Sequence, residues 1–264
     1  MKMALVEIPK KLPLLLIQND ILLPGSSMRI PIIGSMSMNM VKSRLLSRNT
    51  LANSIVGIVT VEDLKDFEKT INNSKCNIVG TAAFVLQVGY SNWTKSNLYV
   101  LTVAGICRFS LDKLVMEEPY PMGVVTQLDN IHPSKDVALT PESTKMAQEI
   151  QELAIKLLES MPSSLPDNDD FQKRIQNASY SSLQDLAMAW LNPSYEDKKE
   201  ILYALDVENR LKKVLAIIRK HLKGVKIMKK NGGPKTELNV MTLPKEQKVL
   251  LVHPKVGGNS DFSD

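Results

Sequence analysis

The stretch from Asp206 to Lys230 most constrains what this chain can fold into. Its apolar residues Val207, Leu211, Val214, Ile218, Leu222 and Val225 recur at three- and four-residue steps, which draws one stripe along an α-helix. Asp206 and Glu208 stand where carboxylates suit the positive end of the helix dipole. Lys226, Lys229 and Lys230 stand where cations suit the negative end. The following Asn231-Gly232-Gly233-Pro234 is a stop signal. A helix of this length needs a bundle to receive its stripe, and its basic end reads as the exit from a folded domain into another segment.

The rest of the composition narrows the function classes. The 264 residues are 44% apolar and 23% charged, enough to bury a sizeable core in one domain or two small ones. The formal charge of +5 permits an acidic partner without demanding one. Two cysteines, Cys76 and Cys107, supply neither a disulfide framework nor a four-thiolate metal site, and a reducing compartment is the easier reading. His132, His221 and His253 lack the spacing of a helical zinc pair. No apolar run reaches the length of a membrane span. The start, Met1 to Lys10, is too charged for a secretory signal. No cofactor, metal or membrane partner is expected.

Along the chain the first half reads as strands. Leu12–Ile17, Met28–Ile33, Ser54–Thr60, Asn77–Tyr90, Leu98–Val103, Ile106–Leu114 and Met122–Leu128 are the apolar or β-branched runs. A helix over Met38–Leu46 interrupts them, and Val61–Lys75 reads as a surface loop. Close spacing with short turns favours an antiparallel sheet or small barrel. The second half reads as helices. Thr140-Pro141 is an N-cap with proline at the first helical position. Ser182-Leu-Gln-Asp185 and Ser194-Tyr-Glu-Asp197 resemble capping boxes. The expected divisions are a β-rich subdomain over residues 1–132, a helical bundle over residues 133–230 and a flexible tail over residues 231–264.

Motifs for chemistry are missing. Gly233-Pro234-Lys235-Thr236 has the Lys-Thr pair of a phosphate loop but not its glycine spacing. No G-x-S-x-G turn is present, and no histidine looks held in a cleft. Arg108 could depress the Cys107 thiol pKa, although a small buried thiol is the commoner outcome. The basic face of the last helix could meet nucleic acid, but without interleaved aromatics a solvated face is preferred. Trp93 stands in a polar turn, either as a binding anchor or as a lid on the sheet.

Leu12-Pro-Leu-Leu, Leu23-Pro-Gly25, Gly80-Thr-Ala82, Gly105-Ile-Cys-Arg108, Glu118-Pro-Tyr120 and Lys198-Lys-Glu-Ile-Leu through Arg210-Leu211, in that order and spacing, resemble the N-terminal domain of Lon ATP-dependent proteases. The likeness covers about residues 10–230. Val41–Leu46, Gly89–Lys95 and Cys107-Arg-Phe109 look most like the peroxisomal branch of that family. The resemblance implies an α+β fold: a PUA-like twisted barrel or sheet, then a helical bundle ending in a long helix. It implies a role in recognising unfolded or damaged proteins and in supporting ring assembly with other Lon subunits, in peroxisomal protein quality control. It also implies that ATP hydrolysis and Ser-Lys proteolysis belong to modules of a longer parent. The end Phe262-Ser-Asp264 is not a Ser-Lys-Leu-type peroxisomal address, so a peroxisomal matrix location rests on the likeness and the cytoplasm is the alternative. A stand-alone PUA-like adaptor for peptide or RNA is the alternative function. For substrate, exposed-apolar reasoning points to Leu22, Leu23, Met28, Met38, Met40 and Trp93.

Overall fold

The computed structural model describes residues 7–47, 50–52, 54–62, 78–91, 98–129, 140–160, 168–230 and 250–251. Trp93, Cys76, His132, His253, positions 63–75 of the expected loop and most of the tail lie outside them.

The first half is one sheet curled on itself. Its strands are β1 (Lys11–Ile17), β2 (Ser27–Pro31), β3 (Ile55–Thr60), β4 (Ile78–Ser91), β5 (Leu98–Met116) and β6 (Met122–Gln127). The pairings run β5–β6–β1–β3–β4 and return to β5, with only β1 and β3 parallel. The two runs expected around Gly105 are therefore one strand of 19 residues. β4 pairs with it from Leu98 to Leu111, while β2 and β6 share its other flank. Register shifts between Ala82 and Ala83 and between Val85 and Gln87 let so long a hairpin bend. Gly80 is required where the sheet folds over Phe109: a Cβ there would lie 2.5 Å from the Phe109 ring and 2.7 Å from the Ile58 carbonyl oxygen. Phe109 is itself fully buried, among Leu12, Leu14, Val59 and Leu111.

The expected helix after β2 begins earlier, as α1 (Ser35–Met40), and continues as a π-helical segment, Val41–Leu46. Met40, Val41 and Leu45 are its buried residues and join Leu15, Ile30 and Val103 in a second apolar cluster.

The second half contains α2 (Pro141–Glu159), α3 (Asn168–Asn177), α4 (Tyr180–Leu191), α5 (Tyr195–Tyr203) and α6 (Val207–Lys230). Thr140 caps α2 as expected, accepting from the Ser143 amide at 3.1 Å. Ser194 caps α5 by accepting from the Asp197 amide at 3.3 Å, and donates to the Asp197 carboxylate at 2.7 Å. The first expected capping box is corrected. α4 starts earlier, with Ser179 as its cap, and Asp185 is buried in its interior facing another charge. The α6 stripe packs as read: Leu211, Val214 and Ile218 are buried with Ile150, Leu183 and Ile201, and Val207 and Leu222 flank them. Burying one such side chain contributes about 1.5–3 kcal/mol, so this stripe is a main tie of the bundle.

The tail differs from the flexible segment expected at one point. Leu250–Leu251 forms a short strand, β7, antiparallel to Gly89 and Tyr90.

Candidate functional site

Sheet and helices meet around a buried charge. Arg108, on β5, is fully buried and uses all five guanidinium hydrogens. Nη1 and Nη2 donate to the two carboxylate oxygens of Asp185 at 2.9 and 2.6 Å. Nη1 also donates to Asp129 at 3.2 Å. Nε and Nη2 donate to the carbonyls of Leu202 at 3.2 Å and Ile201 at 3.3 Å. Burial opposes the charge, but the two carboxylates overcome it and hold Arg108 protonated beyond its ordinary range. Beside it Arg210 donates to Gln184 at 2.9 Å and to the Ala204 carbonyl at 3.0 Å. Burial, then the neighbouring Arg108 charge, lower its pKa.

The segments singled out in the sequence converge here. Thr81 pairs in register with Arg108 and donates its hydroxyl to the Leu22 carbonyl at 2.6 Å. The Gly25 amide donates to the Gly105 carbonyl at 3.0 Å, and the Gly105 amide to the Ser26 carbonyl at 2.8 Å. Gly25 has φ +74°, and a Cβ at Gly105 would stand 2.4 Å from the Leu23 carbonyl oxygen. These contacts brace the segment between β1 and β2 against β4 and β5, and Leu23 within that segment packs against the helices. Cys107 shares that fate: burial first, then Asp129, push its thiol up to about 12 against the opposing Arg108 charge. It packs in the core and is no nucleophile at neutral pH. The His221 ring shares a hydrogen bond with the Ile217 carbonyl of its own helix at 2.9 Å. Among the described residues no cluster could hold a metal ion, and no helix is long and apolar enough to cross a membrane.

The sheet presents a different surface at the end where β2 leads into α1. Ile33 is 70% exposed and Met36 is 39% exposed, on either side of Gly34. Met28 and Met38, both half-buried, pack on the cluster beneath, as does Tyr99. The Ile32 amide donates to the Tyr99 carbonyl at 2.8 Å, which ties this corner to β5. Across the hairpin Tyr99 meets Tyr90 edge-to-face, with centroids 5.3 Å apart. On β4, Leu86 stands at the register shift and is 57% exposed.

The residues expected to form a substrate surface divide. Leu22 and Met40 are buried in the cluster that also supports Met28 and Met38. Leu23 is buried against the helices. The expectation that these three are exposed is corrected: the Leu22–Leu23 pair divides between the sheet's own core and the helices, and the Met36–Met40 run is helical, so its last methionine turns inward. The list of substrate residues drawn from the sequence leaves out Ile33, Met36 and Leu86. A signal exists for two of them. Ile32-Ile33 and Val85-Leu86 are apolar doublets, and where only one face of a strand is covered, alternation buries one member of each.

Comparisons with known proteins agree with this architecture. The family model for the ATP-dependent protease La (LON) substrate-binding domain matches residues 11–220. The chain is 30% identical over 258 residues to the human protein named Lon protease homolog 2, peroxisomal, and 29% identical over 252 residues to the mouse one. Each match covers 94% of this chain but only 28% of the relative, so the chain spans under a third of the length of the curated relatives it matches. Among solved structures, the N-terminal domain of Mycobacterium avium complex Lon protease superposes with a TM-score of 0.59 at 17% identity, covering 80% of this chain and all of that one. On the match across residues 11–220, the chain belongs to the Lon substrate-binding domain family.

Proposed function

We propose that this chain is the recognition portion of a Lon-type ATP-dependent protease in peroxisomal protein quality control, and that it binds unfolded or damaged protein segments. The observation that carries the reading is the substrate-binding-domain match over residues 11–220. The exposed corner of Ile33 and Met36, backed by the half-buried Met28 and Met38, gives it a physical basis. Flexible methionine side chains adapt to varied apolar segments. Affinity at one such surface is modest, and a ring of subunits multiplies it. Hydrolysis of ATP and of peptide bonds is assigned to other modules of the parent. The peroxisomal assignment leans on the relatives' names alone. It is tested by imaging the fluorescently tagged full-length parent against a peroxisomal marker.

Binding is tested by fluorescence anisotropy with a labelled, reduced and carboxymethylated globular protein. Saturable binding that Ile33→Ser with Met36→Ser weakens about tenfold is the expected result. No binding by the wild-type chain removes the reading. Binding unchanged by the double substitution moves the site away from this corner.

A further inference from the structure

We infer that the outer edge of β4, from Leu86 to Ser91, takes an extended aliphatic peptide segment as an added strand, and that the chain's own Leu250–Leu251 competes for it. This deepens the substrate-binding reading above and rests on it. β4 outlasts its neighbour on one side. β3 follows it only to the pairing of Ile55 with Phe84, and the last bond across is from the Val85 amide to the Ser54 carbonyl at 2.9 Å. On the other side β5 stays paired as far as Ser91 with Leu98. Gln87 to Ser91 are therefore paired along one edge, Leu86 stands at the register shift, and all of them exceed β3 along the other. Unpaired strand edges are templates for another chain.

The edge already has an occupant of defined chemistry. Leu251 stands opposite Gly89 and Leu250 opposite Tyr90, antiparallel. The two leucines belong to Val249-Leu250-Leu251-Val252, four aliphatic residues between Lys248 and His253. Main-chain pairing of this kind gives affinity with little regard to sequence, while side-chain surfaces on alternate positions select the class. Here those surfaces are the exposed Leu86 and the half-buried Tyr90–Tyr99 pair. In register, Ile32, Tyr99, Tyr90 and Leu250 form one row across four segments, which places the edge beside the Ile33–Met36 corner. Short β-prone aliphatic runs are what folded proteins bury and unfolded ones expose. A resident strand on the same chain pairs intramolecularly, so an incoming segment must displace it.

The test uses the full 264-residue chain and its Leu250→Pro/Leu251→Pro variant, because proline cannot donate to a ladder. The probe is a fluorescein-labelled peptide of residues 246–254, read by anisotropy. Binding to the variant about tenfold tighter than to wild type is expected, with amide exchange at Gly89–Tyr90 faster in the variant. Equal peptide affinity for both proteins, or unchanged exchange, overturns the inference. The labelled unfolded protein is titrated in parallel. If it binds both chains alike while the peptide does not discriminate, the edge is wrong and the substrate reading stands. If it binds neither while the peptide prefers the variant, the edge stands and the substrate reading falls.

Discussion

At the junction with the helices the sheet buries an arginine, the Asp185 carboxylate and the carbonyls that finish α5; at the β2–α1 corner it leaves Ile33 and Met36 in solvent. Each region reverses the ordinary rule of apolar inside and polar outside. At the junction every guanidinium hydrogen finds an acceptor, which offsets the desolvation of the buried charge. A buried charge so partnered fixes one relative placement of the two halves, since any other would strand it. The corner gains nothing for the isolated fold by its exposure. Exposed apolar groups that the core does not need are what a binding surface requires. The contrast separates what holds the molecule together from what it offers to others.

The largest expected effect tests the junction. Arg108→Met leaves Asp185 buried beside unanswered carbonyls and should cost about 3–5 kcal/mol in urea unfolding. Arg108→Lys should recover little, since an ammonium cannot make the two-pronged contact. An effect under about 1 kcal/mol would mean that the junction is incidental. Gly105→Ala comes next. Its Cβ meets backbone at Leu23, which cannot swing aside, so a loss of about 1–3 kcal/mol is expected, of the size seen on overpacking. Thr140→Ala, at the start of α2, should cost about 1 kcal/mol through its lost cap.

Cys107 gives the junction a pH signature. Its folded value of about 12 lies above the ordinary thiol value of 9.0. The folded state therefore keeps the proton more tightly. The stability this contributes is complete below about pH 9 and is lost as pH rises towards 12. Cys107→Ala should flatten that alkaline slope, measured by denaturant midpoints at pH 8 and 10. An unchanged slope would deny that the thiol is sealed in. The smallest stability effect belongs to the corner: Ile33→Ser with Met36→Ser should shift unfolding by no more than about 0.5 kcal/mol.

Some of this is legible in the sequence, and the rest is hidden for physical reasons. The α6 stripe and the Thr140 cap can be read because helix period and capping are local. Asp185 misleads because a Ser-x-x-Asp spacing is also local, while its true partner is 77 residues away. The segments that carry the family likeness lead to Arg108, which joins the halves, and to Gly105 and Gly25, which brace the sheet half. They do not lead to the corner. Leu22, Leu23 and Met40 are misplaced by sequence reasoning because composition does not tell which apolar residues a second layer will cover. β7 is hidden as a four-residue aliphatic run in a polar tail, too short for periodicity to mark.

The most direct test of the division between junction and corner is anisotropy of a labelled unfolded protein against wild type and the Ile33→Ser/Met36→Ser variant, with urea unfolding of the same two samples. A tenfold loss of binding with an unchanged unfolding midpoint is the predicted result. Undiminished binding, or a loss matched by a falling midpoint, would contradict it.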